Sequence, residues 1–422
     1  MGFQNHEQYS RTLRKNLQIE SLEEVSEQLE FVPKEEVQYL ALEGGGGKGV
    51  ILLGAVEELE RLGILQHDGY RLSKDNQIRG IAGSSAGALM AVMLSMGYRH
   101  SELVNLLKEY NLNRFLDLPY RRARKPSVNG AKIVPLRLNS FLKHVYRIWG
   151  IRGSKTDDVK KKLKKNILRY ISNLFQHLGI FAGYEPIRFF NDRIAERAAK
   201  VDGNSKEDYE FLTFKRFKKI FKIDLVITGS NFETGKSELF SAATTPDWPV
   251  CIAAANTMRI PLIYKPMYVT KNEAQKLTKS YVKRTPMLSS FRAQGYWVDG
   301  GYFNNLPMFA FAHETGALKR TLGISISGKG AEKRKVIKNF WTFLGAYAQL
   351  GIFGAGESHV SATTGIEPNR INLDAFNERG EIELTDFNPN ETLVAELQKQ
   401  AAESVNTYFN SIDSEQLSVP SK

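Results

Sequence analysis

The chain has 422 residues, 42% hydrophobic and 25% charged, enough apolar material for one large or two ordinary packed domains; this excludes a disordered or fibrous protein. Its single cysteine, Cys251, excludes an intramolecular disulfide framework, and the absence of a CxxC or Cys/His cluster leaves no zinc site, so synthesis in a reducing cytoplasm is expected. The formal charge of +12 is local: residues 114–169 carry 17 Lys and Arg against Asp117, Asp157 and Asp158, a net of +14 that exceeds the whole chain's charge and leaves the rest close to neutral.

The first 37 residues are polar and helix-prone, as in SLEEVSEQLEFV, and are expected to form a helical appendage. They lack the apolar core of a secretory signal, and His6 stands where a myristoylation signal has Ser or Thr. Strand and helix signals then alternate: VQYLALE, a helix over 48–63, IRGIAG, and a helix over 86–97, the order of a mostly parallel sheet. The stretch 81–98 is uncharged throughout but rich in Gly, Ala and Ser and opens with a turn, so no membrane span is expected.

A basic insertion occupies about 114–180. From Val159 onward, Leu163, Ile167, Tyr170, Ile171, Leu174, Phe175 and Leu178 recur at helical spacing opposite a lysine cluster. Such a helix either packs on the body with a solvated charged face or lies on a membrane surface. No nucleic-acid-binding module accompanies the charge, so nucleic acid is not expected as a partner.

Beyond it, LTFKRFKKIFKIDLVITGSNFETGKSELFS reads as a short amphipathic helix, a strand over 224–230, a turn over 233–236 and a returning strand. GYWVDGG and RTLGISIS are further short strands, and ETLVAELQKQAAESVNTYF has helical apolar spacing that packs back onto the body. There is no internal repeat.

The four glycines 44–47 between the first strand and its helix invite several readings. Gly44, Gly46 and Gly49 satisfy a dinucleotide fingerprint, but no apolar strand leads to an acid about 20 residues on. A Walker loop fails because Gly49 follows Lys48 where Ser or Thr is required. A tight turn without a ligand is the plain alternative, yet each glycine costs roughly 0.5–1 kcal/mol of backbone entropy against Ala, more than a turn requires. The fourth reading is an anion site made of bare amides at a helix start, with an anion that exists only in a transition state.

That reading demands a nucleophile, and Gly83-Ser84-Ser85-Ala86-Gly87 is a G-x-S-x-G sequence between an apolar strand and an apolar helix. The context suits a strained turn that lifts the Ser85 hydroxyl to the helix N-terminus; a Gly-rich strand-to-helix connection is the plain alternative. Of seven histidines none sits in an evident catalytic loop, with His359 in GESHVSATTG the one to keep in view. Asp299 in YWVDGGYFNNLP is the better base, its competing explanation being an ordinary D-G turn. Burial beside Trp297 and Val298 raises its pKa and amide donors lower it, with the balance open.

Three motifs in order, EGGGGKG, GSSAG and DGG, together resemble the patatin-like phospholipases. The likeness extends to GIFAGYEPIRFF, to LVITGSNFETGKSELFSAATTPDWPVCIAAANTMRIPLIYKP, and to DGGYFNNLP with Asn305 and Pro307 in place, roughly residues 38–330. It implies an α/β protein, a three-layer α/β/α sandwich with a mostly parallel central sheet, in which Ser85 and Asp299 form a catalytic dyad. The amides of Gly45, Gly46 and Gly47 would form the oxyanion hole. Gly44, Lys48, Gly49, Gly83, Gly87, Gly300 and Gly301 complete the motifs. Two departures stand out: Glu43 replaces the usual Asp before the glycines, and AANTMRIP replaces a small-residue stretch and is expected to shape only the pocket wall.

The implied activity is release of fatty acid from phospholipid through an acyl-enzyme, of phospholipase A or lysophospholipase type, with no metal or organic cofactor. The alternatives are another ester lipase, or a membrane- or partner-binding protein whose hydrolase fold is not used. The expected organisation is an appendage at 1–37, a catalytic domain at 38–330 carrying the insertion, and a C-terminal helical region at 331–422 packed on it. The insertion, at 114–169, is expected to dock on an anionic membrane, making the protein peripheral there. An unidentified activator and non-classical export stay open.

Overall fold

The computed structural model describes residues 31–110, 112–117, 174, 177–278, 290–327, 369–382 and 389–418. Strand β1 (Tyr39–Leu42) is apolar on both faces, as a strand in the middle of a parallel sheet must be. Five parallel strands form the centre. β1 is flanked by β2 (Gly80–Gly83) on one side and β7 (Thr321–Ser327) on the other, with Leu40 between Ile81 and Leu322. β3 (Asp224–Asn231) pairs with β2, and β8 (Arg370–Asp374) with β7. Antiparallel strands complete the β3 end: β4 (Lys236–Phe240) and β6 (Gly295–Val298) both pair with β3, and β5 (Met267–Val269) pairs with β6, so the hydrogen-bonded path is β8-β7-β1-β2-β3-β6-β5.

The expected strands and returning turn are all present. The region 331–422, expected to be helical, also supplies β8, a strand of the central sheet. The first helix differs from the expected 48–63: a 3-10 turn spans Gly46–Ile51 and the α-helix α1 runs Leu52–Arg61. Gly46 has φ 53°, outside the α-helical region, so regular winding starts only after the glycines.

The two faces of the sheet are covered differently. Leu40, Leu42, Ile81, Leu225, Ile227, Leu322 and Ile324 face the main core. It is closed by α1, α2 (Ser85–Ser95), α4 (Tyr184–Asp202), α5 (Phe214–Phe221), α6 (Val250–Asn256) and α7 (Glu391–Ser418), with α3 (His100–Glu109) packed on α1. On the other face Gly80, Ala41, Ala82 and Gly323 are small. Among the described residues the turn-rich segment 302–320 lies directly on them, with Phe311 and Met308 filling the space that side chains at Gly80 and Gly323 would take. Small residues on that face let an irregular segment form the covering layer.

Two strands share one edge of β3, and this brings the candidate site together. Gly80–Gly83 pair with Asp224–Ile227, while Val298 and Trp297 pair with Ser230 and Asn231. β4 holds the opposite edge at Ile227–Asn231. β2 and β6 therefore run toward each other along the same edge and stop on either side of a short gap. Ser85 follows the end of one and Asp299 the end of the other.

Candidate active site

Ser85 sits where β2 turns into α2 and adopts φ 48°, a left-handed conformation that costs a non-glycine residue about 1–3 kcal/mol. The turn tolerates this because it is held on every side. The Ser85 amide donates to Thr257 Oγ1 at 3.0 Å, Ser84 N–H donates to the Leu42 carbonyl at 3.3 Å, and Ala88 N–H to the Ser84 carbonyl at 3.1 Å. A side chain at Gly83 would strike the Gly87 carbonyl, and one at Gly87 the Leu42 carbonyl, so both flanking glycines are there for close approach.

The Ser85 hydroxyl donates to Asp299 Oδ2 at 2.8 Å, with Ser85 only 5% exposed and Asp299 fully buried. The other carboxylate oxygen, Oδ1, accepts the Gly301 amide at 2.8 Å. Burial pushes the Asp299 carboxyl up to about 7; the Gly301 amide and the Ser85 hydroxyl favour the anion but do not outweigh desolvation. The backbone under Asp299 is pinned by α6 and the residues after it: Asp299 N–H donates to the Arg259 carbonyl at 3.0 Å and Gly300 N–H to the Thr257 carbonyl at 3.2 Å. A side chain at Gly300 would overlap the hydroxyls of Thr228 and Thr257.

The glycine loop lies against the same point. A Cβ on Gly44 would come 2.8 Å from Ser85 Cβ and 2.5 Å from Asn305 Oδ1, and one on Gly49 2.5 Å from Ala86 Cβ. The Lys48 amide is the first to close a 3-10 ring, onto the Gly45 carbonyl at 3.0 Å. The amides of Gly45, Gly46 and Gly47 come before that ring, as the leading N–H groups of a helix do. Glu43 does more than precede the glycines: its Oε1 accepts Asn305 Nδ2 at 3.1 Å and its Oε2 accepts the Ile326 amide at 2.6 Å. Asn305 Nδ2 also donates to the Gly44 carbonyl at 3.0 Å, so one amide ties the DGG segment to the glycine loop. Lys48 Nζ, 12% exposed, bonds Glu381 Oε1 at 3.1 Å, which makes it an anchor of the loop.

The site thus unites Gly44, Gly49, Ser85, Asp299, Gly300, Gly301 and Asn305. Sequence reasoning missed Thr257 and Arg259, which lie in the AANTMRIP stretch expected to shape only the pocket wall. Arg259 is almost fully buried and donates to the carbonyls of Ala182, Gly183 and Lys265. No motif marks either residue, because each acts on the site through its own hydroxyl or backbone from 40 or more residues away. His67 is held by Glu60 and the Gly97 carbonyl, away from Ser85, and His313 lies on the surface beside Glu314. His359, the lysine cluster and nearly all of the basic insertion lie outside the described residues. At its near edge Asp117 accepts the amides of Gly183, Tyr184 and Glu185 and caps α4.

The family model described as "Patatin-like phospholipase" matches residues 40–312. The chain belongs to the patatin-like phospholipases. Within known proteins, this patatin-like chain is similar to the uncharacterized protein YqhO of Bacillus subtilis, 22% identical over 305 residues, covering 72% of this chain and 76% of that protein. It is similar also to the probable lipid hydrolase 463L of Invertebrate iridescent virus 6, 24% identical over 271 residues, 64% of this chain and 61% of the viral protein. The patatin-like chain therefore spans about three fifths of that relative. The crystal structure of VipD from Legionella pneumophila aligns with a TM-score of 0.46 at 17% identity, covering 89% of this chain and 67% of that one. Among the described residues of this patatin-like protein no helix is long and apolar enough to cross a membrane.

Proposed function

We propose that the protein is a serine acyl hydrolase that releases fatty acids from phospholipids, as phospholipase A or lysophospholipase, with Ser85 as nucleophile and Asp299 as its base. Family membership supports a lipid hydrolase. The observation that carries the finer reading is the 2.8 Å bond from the Ser85 hydroxyl to Asp299 Oδ2 at a strained turn under the glycine loop.

In this mechanism Ser85 Oγ attacks the ester carbonyl carbon while its proton passes to Asp299. The carbonyl oxygen becomes an oxyanion facing the amides of Gly45, Gly46 and Gly47, each such donor contributing about 3–4 kcal/mol to the transition state in comparable sites. The C–O bond to the lysolipid breaks, and the leaving oxygen takes the proton from Asp299. An acyl-Ser85 ester remains. Asp299 then accepts a proton from water as the water oxygen attacks that ester, and collapse frees the fatty acid and restores the Ser85 hydroxyl. A base with a pKa near 7 suits this cycle, since it both takes and returns a proton at neutral pH.

Fatty acid release from phospholipid vesicles is the direct test: Ser85→Ala and Asp299→Asn should each abolish it while leaving the fold intact by circular dichroism. Near-normal release by Asp299→Asn would rule out the dyad. We further propose that the basic insertion, 114–169, holds the protein on anionic membrane, each cation near such a leaflet contributing roughly 1 kcal/mol. Deleting 159–169 should then weaken binding to phosphatidylserine vesicles most at low salt; equal binding at every salt concentration would sink it.

A further inference from the structure

A row of exposed aromatic rings crosses the sheet beside this site. Asn231 and Trp297 are register partners, and the next residue outward, Phe232, donates its amide to the Tyr296 carbonyl at 2.9 Å. Tyr296 is in turn the register partner of Tyr268 on β5. Partners on neighbouring strands project to the same side of a sheet. Phe232, Tyr296 and Tyr268 therefore form one line over three strands, while Trp297, on the opposite face, is buried against Phe240 and Trp248. The three rings are 45%, 38% and 46% exposed. Those of Tyr268 and Tyr296 lie 4.7 Å apart, and that of Phe232 meets the Tyr302 ring at 5.5 Å.

Both ends of the row lead somewhere. Tyr302 is buried in the apolar cluster with Phe181, Ile260 and Tyr264 and follows Asp299 by three residues. Tyr296 precedes Asp299 by three, about 10 Å of strand. Outward, Val269 and Gly295 are the last pair of the β5–β6 hairpin, so the connection between these strands leaves and returns at the row. In sequence that connection, residues 270–294, carries six Lys and Arg against Glu273; Arg292 pairs with Glu238, and Lys279, Lys283 and Arg284 lie outside the described residues.

Scattered exposed apolar residues are ordinary, whereas contiguous exposed apolar patches mark interaction sites, and these three rings are aligned. Tyr and Phe in a row across the sheet, on strands joined by a cation-rich connection, match the lipid–water interface, where rings sit at headgroup depth and hydroxyls reach water. The excess of cations complements an anionic leaflet. We propose that Phe232, Tyr296 and Tyr268 form a docking row on which an anionic bilayer seats, presenting phospholipid to the Ser85–Asp299 site. Its purpose rests on the hydrolase reading above, and its test does not.

In a Ser85→Ala background, where no lipid is consumed, co-sedimentation with vesicles of phosphatidylcholine and phosphatidylserine measures docking alone. The triple substitution Phe232→Ser, Tyr268→Ser, Tyr296→Ser should weaken partition about tenfold or more. A triple variant that partitions like its parent overturns the proposal. Because that variant could fail to fold, Tyr268→Trp gives a second reading: the added indole emission should shift to the blue on adding the same vesicles, and an unshifted spectrum overturns the proposal equally. With Ser85 restored, the triple variant should hydrolyse a soluble butyrate ester like the parent and lose vesicle hydrolysis; equal loss on both substrates places the defect in the site and counts against docking. If neither protein hydrolyses any ester, the enzymatic reading fails, and the two binding measurements still decide the docking row.

Discussion

A carboxyl with no exposed surface is held in its charged form only by what touches it, and Asp299 has one amide and one hydroxyl to do so. The result is a pKa of about 7, set by desolvation, against roughly 4 for an exposed Asp. Two consequences follow. As the base, Asp299 must be ionised, so kcat/KM on a soluble ester should rise with pH and level off above about 7; a flat profile between pH 5 and 9 counts against the assignment. The stability effect has the opposite sign. The folded state binds this proton more tightly than the unfolded chain, so the contribution is full below about pH 4, declines as pH rises, and is lost above about 7. Asn at position 299 can accept the Gly301 amide and donate to Ser85 Oγ without ionising. Asp299→Asn should therefore melt higher than wild type at pH 8, with the gap narrowing as pH falls from 7 and closing only near pH 4; a pH-independent difference would show that ionisation costs the fold nothing.

Much at the level of elements was written in the sequence. The runs YLAL and GIAG are apolar throughout because their strands are covered on both faces, and the chain turns at 232–235, within one residue of the expected 233–236, where polar and Gly residues cluster. The three motifs marked Ser85 and Asp299 because each is local: a strand end, a turn and small residues within five positions. What was not legible is how strands meet. Nothing in GYWVDGG says that β6 is antiparallel and stops opposite β2 on one edge of β3, yet that juxtaposition delivers Asp299 to Ser85. Thr257 satisfies an amide 172 residues away, a relation that no spacing rule encodes. β8 was missed for another reason. RINLD alternates buried Ile371 and Leu373 with polar residues, a true strand pattern but only five residues long, as expected of an edge strand. The apolar periodicity starts at residue 48, one turn ahead of α1, because it does not distinguish the 3-10 turn Gly46–Ile51 from the α-helix that follows.

At the scale of the molecule, the family match ends at residue 312 but the folded unit does not. β8 covers the outer edge of β7, and α7 buries Leu397, Ala401 and Val405 in the main core, each Leu or Val worth about 1.5–3 kcal/mol. α7 touches α1 backbone to backbone: a Cβ on Gly54 would coincide with the Gln398 carbonyl, and Gln398 Nε2 donates to the Val50 carbonyl at 2.9 Å. The far end of the same helix reaches the start of the described chain, where Val32 N–H donates to the Tyr408 hydroxyl and Phe31 packs on its ring. Glu381, just before α7, holds Lys48 of the glycine loop. The described residues from 369 onward thus brace the glycine loop beside Ser85 and the helix α1 that follows it. We expect Gly54→Val, which forces α7 away from α1, to lower stability by about 1–3 kcal/mol, read as an earlier midpoint in urea. A chain ended at residue 327 should show no cooperative transition at all, since it uncovers the edge of β7 and the α1 face together. If that shortened chain unfolds cooperatively near the full-length midpoint, the C-terminal segment is an accessory, and the fold closes without it.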